Sequence, residues 1–220
     1  MSRRVVRKSA PKRVFRVGPL LRMMSKVEGD LLDAPVEPVV IGLDGSLTNY
    51  GVAAYGLESG RHVVMLFRPK FRGARRLFEI WEMVSSVVNF FEANFEVCEY
   101  VLEGYSMGSK SRQHAIGEGG AATKLALVMR YGGGDPIAFP TLVAPQAVKK
   151  FATGKGNGDK NVVIKRVYQK WGVDIDDDNL ADAYVLSRIG AALTSGHTEH
   201  AYEAEVVASL ERNTEWEPLK

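Results

Sequence analysis

Two short apolar runs in this chain each end in a carboxylate. Val39-Val40-Ile41-Gly42-Leu43 leads into Asp44, and Tyr100-Val101-Leu102 leads into Glu103. Apolar runs of this length read as buried strands. An acid delivered at the end of such a strand is costly unless its charge is compensated, and a divalent cation is the usual compensation. Gly45 and Ser46 then let the chain turn tightly and leave the Asp44 carboxylate accessible. Each acid also has a plainer reading by itself: Asp44 as a turn aspartate capping backbone amides, Glu103 as a solvated rim glutamate.

The rest of the pattern supplies a sheet for these strands. Gly51–Leu57 and His62–Phe67 read as a hairpin turning at Glu58-Ser59-Gly60. Arg75–Phe95 holds no Gly or Pro, and its Leu77, Ile80, Trp81, Val84, Val87, Val88 and Phe91 recur at helical spacing. Val97–Glu103 is the next strand. His114–Met129 reads as a helix loosened by Gly117, Gly119 and Gly120, and Ile137–Val143 as a strand interrupted by Pro140. Gln146–Ala152, Lys160–Trp171 and the alanine-rich Leu180–Leu193 follow as helices, the last ending near Gly196. An amphipathic stretch surrounds Val206–Leu210. The order predicts an α/β fold, a mixed five-stranded sheet flanked by helices. The expected organisation is a basic, disordered arm and linker over 1–38, a single domain over 39–196, and a C-terminal extension over 197–220.

Charge is distributed unevenly. Nine cations precede Glu28 with no acid among them: Arg3, Arg4, Arg7, Lys8, Lys12, Arg13, Arg16, Arg22 and Lys26. Set against a net charge of +3, they leave the remainder at −6. A basic arm on such a body suits a polyanion. Its Arg-rich, acid-free composition equally suits an organelle transit peptide, or a tail with no specific role. The single cysteine, Cys98, excludes an intramolecular disulfide and fits an intracellular, reducing setting. No window approaches ~18 uninterrupted apolar residues, so no membrane helix is expected.

A third acidic element is Asp176-Asp177-Asp178-Asn179-Leu180-Ala181-Asp182-Ala183. Capping of a helix N-terminus accounts for Asp176 to Asn179 better than for Asp182, which lies further in. Asp44, Glu103 and Asp182 together form a hard oxygen donor set suited to Mg²⁺. Two such ions would activate a water and stabilise the leaving oxygen of a phosphodiester.

At these residues the chain resembles the RuvC-like Holliday junction resolvases of the RNase H-like superfamily. Gly42-Leu43-Asp44-Gly45-Ser46 through Tyr50-Gly51 resembles the family's opening motif, and Val101-Leu102-Glu103 its second acidic strand. The segment from Val148 to Lys160, with Lys149, Lys150, Gly154, Lys155, Gly156 and Asp159-Lys160, resembles its lysine, Gly-x-Gly and second lysine block. Asp182-Ala183 resembles the aspartate-alanine pair of its last catalytic helix. The likeness runs from about Val39 to Gly190 and leaves both termini outside.

The resemblance implies an RNase H-like fold and a Mg²⁺-dependent endodeoxyribonuclease, with Mn²⁺ as a substitute ion, that cleaves four-way or other branched DNA as a homodimer. The catalytic residues would be Asp44, Glu103, Asp182 and Lys160, with Asp44, Glu103 and Asp182 holding metal. Lys149, Lys150, Lys155 and Lys160 would contact DNA, and glycines in that loop permit a close approach to the backbone. The chain departs from the pattern twice. Asn179 stands where the family commonly has a further aspartate; we expect Asn179 as a weak fourth ligand and Asp178 as the helix cap. The family's aromatic wedge is not cleanly matched, Tyr105 being nearest. Divergent viral members vary at such positions, which suggests a phage-type resolvase acting in the host cytoplasm or nucleoid.

Three other functions fit parts of the pattern. An RNase H acting on RNA–DNA hybrids shares the core and the acids, while the Lys149–Lys160 block favours the resolvase. An ATPase of the actin and sugar-kinase type has a comparable Asp-Gly strand end but needs two such domains. A DNA-binding module without catalysis would set three acids against phosphate with no metal between them.

Overall fold

The computed structural model describes residues 19–104, 110–132, 134–157 and 160–210, apart from the side chains of 19, 110–116, 160 and 161. The elements run α1 (Pro19–Met23), β1 (Lys26–Gly29), β2 (Pro38–Asp44), β3 (Tyr50–Gly56), β4 (His62–Phe67), α2 (Gly73–Asn94), β5 (Glu96–Glu103) and α3 (Lys110–Tyr131). They continue with β6 (Thr141–Val143), α4 (Pro145–Thr153), α5 (Lys160–Trp171), α6 (Asp178–Ser195) and α7 (Ala201–Ser209). The strands form one mixed sheet in the order β1-β4-β3-β2-β5-β6. Pairing is antiparallel from β1 through β2 and parallel from β2 to β6.

Alternation along the central strand explains the layers. Val39, Ile41 and Leu43 join a core with Ile80, Val84 and Val88 of α2 and Leu127 of α3. Val40 points to the other face and joins Val148 of α4, Val167 of α5 and Ala183 and Ile189 of α6. Because helices cover both faces, β2 and the Tyr100–Leu102 end of β5 read as continuous apolar runs in sequence. Full burial of each large aliphatic side chain contributes roughly 1.5–3 kcal/mol.

The α/β reading holds, with a sixth strand added to the expected five. That strand, β1, lies in the segment expected to be arm and linker. It pairs Lys26 with Leu66 of β4, and Leu20 and Leu31 on either side of it are buried. Its residues, Lys-Val-Glu-Gly, are mostly exposed and carry no alternating apolar signal. Regular structure therefore begins well before Val39. Lys26 is not an arm residue: its ammonium lies 2.5 Å from Asp176 and 3.0 Å from Glu28.

The strand expected over Ile137–Val143 is shorter. Asp135 accepts a hydrogen bond from the Ile137 amide at 3.1 Å and caps a 3₁₀ turn over Pro136–Ala138. Pro140 has no amide to give the ladder, so pairing starts at Thr141. The C-terminal extension carries α7, which packs on α4. Glu205 pairs with Lys150 at 2.7 Å, and Glu203 forms a nearly buried ion pair with Lys170 of α5. Among the described residues, no helix is long and apolar enough to cross a membrane.

Candidate active site

The parallel register sets Leu43 beside Leu102, so Asp44 and Glu103 are the next residues at the ends of neighbouring strands. Leu43 and Leu102 both enter the core under α2 and α3. Side chains alternate along a strand, so both acids face the opposite side, the one covered by α6. Asp44 is 5% exposed, and Glu103 is half-buried.

Missing side chains seat α6 on that face. A Cβ on Gly42 would meet the Ala183 carbonyl oxygen at 2.2 Å, and one on Gly51 would meet the Asn179 carbonyl oxygen at 2.3 Å. A Cβ on Gly190 would meet Val40 at 2.3 Å and Val101 at 2.7 Å. The helix therefore runs antiparallel to β2, with Gly190 above Val40, Ala183 above Gly42 and Asn179 above Gly51. Gly51 is the register partner of Asp44, so the N-terminal turns of α6 reach the acid-bearing edge. The Tyr184 ring lies 5.2 Å from that of His62 on β4, which fixes one flank. Two residues turn a helix by about 200°, so Asp182 lies on the opposite flank, towards β5 and Glu103.

The three acids thus belong to one corner of the fold. Their side chains are not gathered into a metal-holding cluster: among the described residues, no three His, Cys, Asp or Glu are so placed. The donor chemistry is nevertheless that of a hard oxygen site, with carboxylates at Asp44, Glu103 and Asp182 and an amide oxygen at Asn179.

The cap of α6 is Asp177 and not Asp178. The Asp177 carboxylate accepts from the amides of Asn179 at 2.9 Å and Leu180 at 3.3 Å, the usual reach of a residue just before a helix. The Asn179 side-chain amide donates to Asp177 at 3.3 Å and to Asp178 at 3.1 Å. Behind the edge, the Tyr50 hydroxyl shares a hydrogen bond of 2.7 Å with Thr123, which donates to the Gly119 carbonyl at 2.9 Å. Burial raises the Tyr50 pKa well above the usual phenol value; the Thr123 hydrogen bond opposes this and the Asp44 charge adds to it. Gly119 itself permits a close approach, since a Cβ there would lie 2.6 Å from the Gly45 carbonyl.

The basic segment returns to the same edge. Val143 of β6 pairs with Glu103, and α4 leaves directly after it, so Lys149 sits about one turn into that helix. Gly154 ends α4 in the left-handed conformation (φ 79°). The loop then doubles back, and Gly156 comes to lie beside Gln146 near the start of α4. Lys155 is exposed on this loop, and α5 begins at Lys160. Lys150 turns away to Glu205 of α7. The Lys160 side chain and Tyr105 lie outside the described residues.

No protein-family model matches the sequence, and no curated protein does so either. Solved structures do match. RuvC of Thermus thermophilus in complex with a Holliday junction substrate superposes with a TM-score of 0.56 at 17% identity, covering 73% of this chain and 97% of that one. A second Thermus thermophilus RuvC structure gives 0.53 at 19% identity, covering 72% and 96%. The chain has the RuvC fold. Almost the whole length of each RuvC chain has its counterpart here.

The glycine contacts that seat α6 are absent from the sequence reading. Their signal is present as glycines inside two apolar strands facing an alanine-rich helix, a combination that marks close backbone packing.

Proposed function

We propose that this chain is a divalent-metal-dependent endonuclease that cleaves branched DNA, four-way junctions above all. The observation that carries the reading is the placement of Asp44 and Glu103 one residue past the paired Leu43 and Leu102, at adjacent strand ends near the turn of α6 that bears Asp182. That three strand- and helix-borne acids share one corner of a RuvC-like fold supports a single centre. Asp44, Glu103 and Asp182 would hold Mg²⁺, with the Asn179 amide oxygen as a weak fourth donor. Bound there, the ion supplies an activated water and stabilises the leaving oxygen of a phosphodiester.

The chain's own residues have separable tasks. Asp44, nearly buried, is held in place by the strand and not by a loop. Lys149, Lys155 and Lys160 bind and orient the phosphate backbone, each as a point charge. Lys150, paired with Glu205, contributes to the same field from further back. We propose a homodimer, because symmetric cleavage of a four-way junction requires two centres related by a two-fold axis. An exposed apolar groove of about 580 Å³ between α2 and α3 supports a partner there, with Phe78, Leu125 and Met129 each more than half exposed.

The test is strand cleavage on three labelled substrates: a four-way junction, a linear duplex and an RNA–DNA hybrid. The expected result is Mg²⁺-dependent nicking of the junction in preference to the other two. Preferential cutting of the hybrid would replace it with an RNase H activity.

A further inference from the structure

We infer that the segment Arg68–Arg76 is a second DNA-backbone site beside the acid-bearing edge; the identity of its ligand as DNA rests on the nuclease reading. β4 runs antiparallel to β3 and β3 antiparallel to β2, so β4 ends at the same edge as Asp44. Asp44 lies opposite Gly51, Gly51 lies opposite Leu66, and Arg68 follows two residues later. Two strand spacings separate β4 from β2, roughly 10 Å.

Five cations crowd this turn: Arg68, Lys70, Arg72, Arg75 and Arg76. The first four are exposed, and among the described residues none of the five forms an ion pair with a carboxylate. Glu79, in the first turns of α2, is taken up by the backbone, accepting from the amides of Lys70 and Phe71 at 3.0 Å each. Arg76 donates to the Phe71 carbonyl at 3.0 Å, and the Arg75 guanidinium stacks 3.4 Å from the centre of the Phe71 ring. The loop is therefore held in shape while its charges stay available.

Its position sharpens the point. Arg75 and Arg76 stand in the first turn of α2, a 22-residue helix with no acid there. Cations at a helix N-terminus work against the helix dipole, and so does their mutual repulsion. A polyanion laid across them offsets both costs. Outside the first 27 residues the chain carries a net −6, so this cluster is not a sample of a generally basic surface.

The test uses the full-length protein and its Arg68→Ala/Lys70→Ala/Arg72→Ala variant, with binding to a four-way junction and a linear duplex followed by anisotropy over a salt series. Nicking is measured in parallel. We expect affinity to fall about tenfold or more and the salt slope to flatten by roughly 0.9 for each phosphate no longer neutralised, with thermal stability unchanged. Should the triple variant unfold more readily, the milder Lys70→Gln/Arg72→Gln pair gives the same readout with a smaller effect. Unchanged affinity and slope in a folded variant overturn the inference while leaving the nuclease reading intact. A wild-type protein that binds DNA through these residues but nicks nothing keeps the inference and removes the nuclease reading. A wild-type protein that binds neither DNA overturns both.

Discussion

Asp178 and Asn179 sit side by side at the start of α6, and their hydrogen bonds separate their roles. Asp177 supplies the cap, so neither neighbour is needed for it. Asp178→Asn should then leave helix stability and junction cleavage near wild type, because an asparagine oxygen still accepts from the Asn179 amide. Asn179→Asp places a carboxylate at the border of the proposed metal site and should lower the Mg²⁺ concentration needed for half-maximal cleavage. Asp177→Ala, by contrast, should cost about 0.5–2 kcal/mol of stability in a denaturant titration. A cleavage defect for Asp178→Asn as deep as that for Asp182→Asn would make Asp178 the ligand instead. The acids at 44 and 103 are legible from sequence because a strand end is a local pattern. The cap falls one residue before the position expected from sequence, because helix boundaries shift by a residue or two without changing any periodicity.

At the scale of elements, the site depends on how closely α6 lies on the sheet. Gly42→Ala would force a Cβ to within 2.2 Å of a backbone carbonyl, which no side-chain rotation relieves. The helix must move, and overpacking of this kind costs about 1–3 kcal/mol. We expect Gly42→Ala to lower the melting temperature and to reduce cleavage beyond what the drop in stability explains, since Asp182 moves with the helix. A variant as stable and active as wild type would show that this close approach does not set the site. Most helices and central strands are legible because both faces of the sheet are covered, which leaves strong apolar periodicities. The edge strand β1 is not, since Lys26, Glu28 and Gly29 give it no apolar face and its pairing partner is some forty residues away in sequence. The seating of α6 is legible only indirectly, because Gly42 meets a backbone carbonyl and the trace of it in sequence is the glycines that face an alanine-rich helix.

For the whole molecule, the two faces of the sheet are unequal. One is sealed by α4 to α7, and the other ends in the open apolar groove between α2 and α3. Phe78 and Trp81 stack across 5.6 Å there, and Leu125 and Met129 stand proud of the surface. Water against such a patch is unfavourable, and a second copy would remove it. Leu125→Glu/Met129→Glu should convert a dimer to a monomer in sedimentation experiments and abolish paired cleavage of a junction while leaving single nicks. A wild-type chain that is monomeric both free and on junction DNA contradicts this.

We propose that Asp44, Glu103 and Asp182 form one metal-dependent catalytic centre. Its most direct test is a Mg²⁺ titration of four-way-junction cleavage for wild type, Asp44→Asn, Glu103→Gln and Asp182→Asn, with junction binding measured on the same samples. Cleavage should rise with Mg²⁺ in wild type and disappear on chelation. Each variant should lose roughly a hundredfold or more, at least what the loss of a residue supporting a metal ligand costs. Binding should be retained or tightened, because each change removes a charge that repels phosphate. Cleavage that survives in any one of the three, with the protein folded and the DNA bound, would contradict it.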